Sequence, residues 1–578
     1  MTAWAWSGLA VLLAAFPARA AVDERAPCPA VAFVGARAVR LTDVERKLVC
    51  GDPGTEGWGA IPVNQAEYFL RAFLQQRGYQ SPRFAVVGSR LEVDAGAKSL
   101  VRRLVVKGLP PAVDPSKLRG IAGRELTPQE LDRVKSALVN ALQNDGYACP
   151  EVAISADGVT GDVSAEVVDG GRRAIDGIVP ARLKTTDPGV FNRYEAFRRG
   201  QPFDRRLLAL TSERTVVDSL FVSAYYDVAC SSAGMRISQR VVEGKPRLYQ
   251  LGAGFDTEGY AIGKARWKNS RIDARGSSLE GSLYGSFRQE SAEASAHESL
   301  SPSSRFYVKP RLYFDRENQT QFEFTDAEAS VLPGAGLDTE SLRADVAAGP
   351  ALEAIRTVRG PGPDRDTFLT FKTQWTLTDH LFEYYAGEPR AGWRATLDTV
   401  SRVAGADSSF TAHRLSTRGE WIWNLGNYDP PLLVAATRWW AGTTYVDDRA
   451  LALRSLAPDM RFFLGGDANL RGAALTGLPG DDAGFLTVVY DGLELRMADV
   501  IAHGFQPLVF VDAAMGGRAD VRLDPDVYWS PGLGFRWALP VGSIRGKVAR
   551  GLTWHRDAGA PTLYRPHWQF FLSFGQEF

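Results

Sequence analysis

The segment FFLGGDANLRGAAL (462–475) carries one basic residue, Arg471, between Leu470 and Gly472. A guanidinium set among apolar residues and glycines needs carboxylate partners, because a buried unpaired charge is strongly destabilising. The same segment holds Gly465, Gly466 and Asp467. Two acids stand further along the chain. In GLELRM, Leu493, Leu495 and Met497 alternate with Glu494 and Arg496, and in LVFVDAAMG, Val509, Val511, Ala513 and Met515 alternate with Asp512. Strand alternation sets Glu494 and Asp512 on the face opposite the apolar side chains.

Thiols supply a second chemistry. The four cysteines are Cys28, Cys50, Cys149 and Cys230, and three pairings are open. The nearest pair, Cys28 with Cys50, brackets one strand-helix unit. Choosing it leaves Cys149 with Cys230 to link two successive repeats. No C-x-x-C and no close histidine pair is present, so no metal is expected. His297, His380, His413, His503, His555 and His567 are scattered. H-E-x-x-H, the Walker loop and G-x-S-x-G are all missing, so neither an enzyme nor a cofactor is expected.

These residues sit in a chain of 578, enough for at least two domains. The 67 basic and 67 acidic residues balance, which gives no pull toward nucleic acid. The opening AWAWSGLAVLLAAFPARA pairs an apolar run with Ala18-Arg19-Ala20, the pattern of a cleaved export signal over residues 1–20. Export places the cysteines in an oxidising compartment. Beyond that run no stretch is long and apolar enough for a membrane helix.

From residue 22 to about 246 a unit of about 75 residues recurs three times, at 22–98, 99–170 and 171–246. Each unit has a short extended segment (AVAFVG, LVRRLVVKGL, RRAIDGIV), then helical apolar spacing, a tyrosine near a turn and two short strands. In the second, Leu131, Val134, Leu138 and Leu142 make one helix stripe. The expected unit is β-α-α-β-β, a small sheet carrying two helices, and three of them form an α+β arm.

From about residue 247 to 578 the period changes to two. Phe306, Val308, Pro310, Leu312 and Phe314 alternate with Arg305, Tyr307, Lys309, Arg311 and Tyr313. Leu533, Phe535, Trp537 and Leu539 oppose Arg536, and Trp568, Phe570, Leu572 and Phe574 share one side of the closing segment. Roughly sixteen such segments of about ten residues follow one another. Full charges on the second face suit a watery lumen. Strands in lipid must pair every backbone group, so a closed transmembrane antiparallel β-barrel of about 16 strands is expected.

The arm resembles POTRA domains, and the tail resembles the barrel of the outer-membrane assembly family (the BamA/TamA superfamily, bacterial surface antigen type). RFFLGGDANLRGAAL (461–475) looks like that family's sixth extracellular loop motif, an aliphatic residue followed by Arg-Gly-aromatic. LPVGSIRGKVARGL (539–552) resembles its penultimate strand, FFLSFGQEF its terminal strand, and YQLGAGFDTEGYAIGKARWKN (249–269) its first two. Two positions depart from the pattern: Ala473 stands where the family has an aromatic, and Gln576 interrupts the last alternation. Three repeats point to the TamA-like branch, since BamA-type chains usually carry five and two-partner secretion transporters two.

The resemblance implies a loop folded into the lumen, where Arg471 pairs with Asp512, Glu494 or both. It implies a weakly paired seam between residues 247–258 and 567–578, with Gly252, Gly254 and Gly575 weakening the strands beside Phe574 and Phe578. It further implies assembly of β-barrel outer-membrane proteins, autotransporters among them, and phospholipid transport. The implied surroundings are a TamB-like, inner-membrane-anchored periplasmic partner, the lipid bilayer and lipopolysaccharide. The alternatives are a two-partner secretion transporter or a general BamA-like insertase. The former would place a plug helix ahead of the first repeat, where few residues follow Ala21.

Overall fold

The structure, a computed structural model, describes residues 25–35, 38–114, 121–217, 219–232, 234–339, 341–379, 384–385, 388–403, 411–428, 431–448, 455–498, 504–539, 542–554, 561–562 and 568–575. The export signal, Gln576 and Phe578 lie outside them.

The first compact unit contains two small sheets. In the first, β1 (Val31–Phe33) runs parallel to β3 (Arg90–Asp94), which pairs antiparallel with β2 (Arg83–Val87). Helices α1 (Asp43–Cys50) and α2 (Val63–Gln76) bury Val49, Leu70 and Leu74 with Leu91 and Val93. Thr42 and Glu45 form a reciprocal capping box that starts α1. The second sheet repeats the pattern with β4 (Arg103–Lys107), β5 (Glu151–Ala156) and β6 (Asp162–Val168), in the order β4-β6-β5. Its helix α3 (Pro128–Asn144) buries the expected stripe at Val134, Leu138 and Leu142.

The second unit holds the third sheet and the barrel. β7 (Gly177–Val179), β8 (Phe221–Ser231) and β9 (Gly234–Glu243) take the order β7-β9-β8, with α4 (Arg205–Val217). The first helix expected in this unit is only a 3-10 turn, Pro188–Arg193. Pro188 and Gly189 open it, Asp187 caps the Gly189 N–H, and Tyr194 ends it after about two turns.

The barrel runs through β10 (Arg247–Asp256), β11 (Tyr260–Asn269), β12 (Ser278–Gly285), β13 (Gln289–Ser299), β14 (Phe306–Asn318), β15 (Glu323–Asp338), β16 (Arg343–Arg359) and β17 (Asp366–Thr378). A two-residue hairpin, β18 (Tyr384–Tyr385) with β19 (Glu388–Pro389), precedes β20 (Gly392–Val403). Next come β21 (Ala412–Leu425), β22 (Leu433–Val446), β23 (Thr487–Met497), β24 (Phe505–Gly517), β25 (Val527–Leu539) and β26 (Gly542–Arg550). β27 (Leu552–Trp554) continues β26 beyond Gly551, and β28 (Pro561–Thr562) precedes the closing β29 (Trp568–Gly575). Counting each interrupted strand once, sixteen antiparallel strands close with β10 against β29. Strand lengths range from 8 residues in β12 to 17 in β16, a wider spread than a uniform ten.

The outer face is apolar and exposed, with Leu312, Leu369, Leu533 and Phe570 among its members. Tyr307, Glu328, Glu353, Thr370, Arg402 and Arg536 turn inward and are buried. An exposed apolar exterior around a polar interior inverts the pattern of a water-soluble sandwich and fits lipid outside.

Candidate functional site

The loop between β22 and β23 packs back on the inner wall. Phe462 bridges to Phe485 and Leu464 to Leu478, and these side chains join Leu470, Ala473, Val488 and Tyr490 in one apolar cluster. Burial of that cluster draws the loop inward and carries Arg471 with it. Arg471 is 0% exposed. Its Nε and Nη2 donate to the two oxygens of Asp512 at 2.9 and 2.7 Å, and its backbone N–H donates to Asp512 Oδ2 at 3.0 Å. Nη1 donates to Glu494 Oε2 at 2.6 Å. Thus both acids turned inward by alternation meet the same guanidinium. Removing either partner strands a buried charge, which makes this contact rigid.

Three further side chains complete the latch. The Phe510 ring lies 3.4 Å from the Arg471 guanidinium carbon, close enough for cation–π attraction. The Tyr490 hydroxyl donates to Asp512 Oδ1 at 3.2 Å, and Arg496 Nε donates to the second Glu494 oxygen at 2.6 Å. Gly472 is needed for close approach: a Cβ there would run into Ser530 Oγ and into Gly551, at the break between β26 and β27. Ala473, at the position of the family's aromatic, is buried beside Leu464 and Leu470.

The loop tip holds a second set of contacts. Asn469 Oδ1 accepts from the N–H groups of Gly465 and Leu470, which shapes the turn. The Asp467 N–H donates to Glu258 Oε1 at 3.1 Å, in the turn joining β10 to β11. The Asp467 carboxylate accepts from Lys547 Nζ at 2.7 Å, on β26. Gly466, at φ +100°, leaves no room for a side chain beside Glu258. One residue of the loop therefore grips both sides of the barrel's closure.

β26 pairs with β29 from Ser543↔Gly575 through Arg550↔Trp568, and β10 pairs with β11 along its whole length. Among the described residues, Gly254↔Gly575, Phe255↔Phe574 and Asp256↔Ser573 pair between β10 and β29, and Thr257 adds its N–H to the Leu572 carbonyl at 3.1 Å while its hydroxyl donates to the Phe570 carbonyl and accepts from the Leu572 N–H. The span 247–258 against 567–578 expected from the sequence includes residues 567 and 576–578, which lie outside the described residues. Among the described residues, Arg247–Ala253 have no partner on the seam side, and Gly252 pairs only with Lys264 of β11. Gly254 and Gly575 approach closely, and a Cβ on Gly254 would lie 2.9 Å from the Phe574 carbonyl oxygen. Behind the seam a cavity of about 240 Å³ is lined by Gly252, Glu258, Lys264, Asp467, Arg545 and Lys547.

The remaining sequence-predicted residues lie in the arm. Cys28 is bonded to Cys50 and Cys149 to Cys230. Nearer the barrel, Glu243 at the end of β9 accepts from the N–H groups of Lys184, Thr185 and Thr186 at 2.9, 3.1 and 3.0 Å, with Arg271 3.5 Å away. Burial pulls this carboxyl upward, but the N–H groups of Lys184 and Thr185 outweigh it and hold it at about 2. Arg193 donates to Ser299 Oγ at 2.9 Å and Arg214 to the Thr339 carbonyl at 2.9 Å, tying the third repeat to two barrel turns.

Residues 250–578 match the Omp85 superfamily domain. BamA from Haemophilus ducreyi lacking POTRA domains 1–3 shares the fold at 16% identity, with a TM-score of 0.50 over 82% of this chain and 99% of that one. CdiB from Acinetobacter baumannii is similar at 13% identity and a TM-score of 0.45, covering 83% of this chain and 90% of that chain. With its POTRA-type arm in the periplasm and its sixteen-stranded barrel in the outer membrane, the chain belongs to the Omp85 superfamily.

Proposed function

We propose that the chain is a translocation and assembly factor of TamA type, which helps β-barrel proteins, autotransporters included, enter the outer membrane. The observation that carries this reading is that, among the described residues, β10 pairs with the closing strand β29 only at Gly254–Asp256. A strand with unpaired N–H and C=O groups is a template for another strand. Among the described residues Arg247–Ala253 have no partner on the seam side, and they would offer such an edge to an incoming segment. Parting the pairs at Gly254–Asp256 lengthens that edge by the rest of β10, and the incoming strand recovers the lost hydrogen bonds by β-augmentation. The chemistry is strand exchange, with no covalent bond made or broken. The three-repeat arm supports the TamA branch, and a TamB-like periplasmic partner anchored in the inner membrane would dock on it and could feed phospholipid along the same route.

A locked seam tests the mechanism. Phe255→Cys with Phe574→Cys joins a directly paired position on the outer face. The oxidised variant is expected to keep its folded barrel and to lose insertion of a reporter barrel in proteoliposomes, with recovery on reduction. Full insertion by the oxidised form would overturn the proposal. Co-purification of a TamB-like protein with the intact arm separates the TamA branch from a general insertase.

A further inference from the structure

A lumen cavity of about 430 Å³ is lined by Arg394, Arg418, Glu420, Arg438, Asn469 and Tyr490. The register explains how the arginines gather. Arg394 on β20 opposes Glu420 on β21, which opposes Arg438 on β22, so the three form one row across adjacent strands. Arg418 lies one inward position further along β21, between Thr396 and Trp440. Strand spacing of about 4.8 Å puts the row's outer cations about 10 Å apart at the backbone, within converging reach of long side chains.

Several lumen arginines outside this cavity are held in ion pairs. Arg266 is paired with Glu280, Arg311 with Glu293, Arg402 with Glu353 and Asp459, and Arg471 with Asp512. Among the described residues Arg394, Arg418 and Arg438 make no hydrogen bond or ion pair, and Arg438 Nη2 is shielded from solvent with no partner. Glu420 is the one carboxylate lining the cavity. Of the acids nearby, Glu494 is engaged by Arg471 and Arg496, and Asp398 on β20 stands diagonally across from Arg418, outside the cavity lining. Three guanidiniums against one carboxylate leave a net positive site whose donors are unspent.

We propose that this cavity binds a phosphate group, free or as an ester. Guanidinium forks present paired N–H donors that match phosphate oxygens. A phosphate between Arg394, Arg418 and Arg438 would satisfy Arg438 Nη2 and neutralise the surplus charge. The Asn469 amide adds a neutral donor. Because Asn469 also shapes the loop tip, an occupied cavity would brace the loop that carries Arg471.

The test uses the full chain in neutral detergent, titrated calorimetrically with inorganic phosphate and separately with water-soluble dihexanoyl phosphatidylglycerol. Saturable binding by either probe, weakened at least about tenfold in R394Q/R418Q/R438Q and unchanged in R266Q, is the expected result; tenfold corresponds to the loss of about one charge-assisted contact. Saturation by phosphate alone identifies the free ion as the source, and saturation by the lipid alone identifies the headgroup. If the triple variant does not fold, R418Q, at an exposed lumen position, replaces it with the same direction of effect. Absence of saturation by both probes, or equal binding by the arginine variants, would overturn the site.

Discussion

The barrel is held shut in two places by opposite means. At the latch, one guanidinium, two carboxylates, a phenol and an aromatic ring meet with no solvent access to Arg471 or Asp512. At the seam, three residue pairs among the described residues, with two glycines, join strands whose other neighbours pair along their length. The latch fails all at once, because each partner removed leaves another charge buried. The seam yields by single hydrogen bonds, each worth only about 1 kcal/mol net. Strong fixation of the loop thus leaves the closure free to be weak, and the Asp467 contacts are where the two meet.

Breaking the latch should give the largest effect. Arg471→Ala leaves Asp512 and Glu494 buried without their common partner, and a loss of about 3–5 kcal/mol in loop docking is expected. Limited proteolysis within 461–486 reads it directly; a loop that stays protected would show that the apolar cluster alone holds it. A smaller effect is expected at the crossing point. Lys547→Gln removes the cation from Asp467 while leaving the latch intact, and the loss should be about 1–2 kcal/mol. Its signature is easier parting of β10 from β29, measured as faster alkylation of a cysteine at Phe574 with an unchanged melting temperature. If alkylation does not change, the loop does not bridge the seam energetically.

The smallest effect concerns the joint with the arm and depends on pH. The folded Glu243 carboxyl sits below its ordinary value, so its contribution is complete above about 4.5 and is lost as pH falls through about 2. Glu243→Gln should therefore lower stability at neutral pH and converge with the parent chain in strong acid. Near-ultraviolet dichroism during acid titration checks the convergence, and parallel curves would remove Glu243 from the joint.

Much of the fold was legible because two periods carry it. Alternation in 305–314 and 533–539 required one apolar face, and the charges opposite left a polar lumen as the other. The same alternation turned Glu494 and Asp512 inward, so the latch partners could be named before the loop's path was known. Glu258 and Lys547 could not be found that way. They meet Asp467 only because the loop folds back across the barrel, joining residues 209 and 80 positions apart. Phe510 was hidden for a different reason: its inward ring reads as an ordinary lumen aromatic until a cation lies over it. The seam's register, Gly254 against Gly575, left no mark in composition, since strand offset is decided by pairing and not by the residues of one strand. In the third repeat, the proline and glycine at 188–189 were the available sign that a full helix would not form.

The unequal strands have a consequence for the lipid. β12 has 8 residues and β10 and β11 have 10 each, while β15 and β16 have 16 and 17. At about 3.4 Å per residue, β12 reaches about 27 Å even without tilt, less than a hydrocarbon layer about 30 Å thick. The wall of β15 and β16 stands about 20 Å taller than that of β10 and β11. Acyl chains beside the first strands must shorten and disorder to meet so low a wall, whereas those on the far side need not. The membrane is therefore easiest to deform on the flank where the barrel is easiest to open.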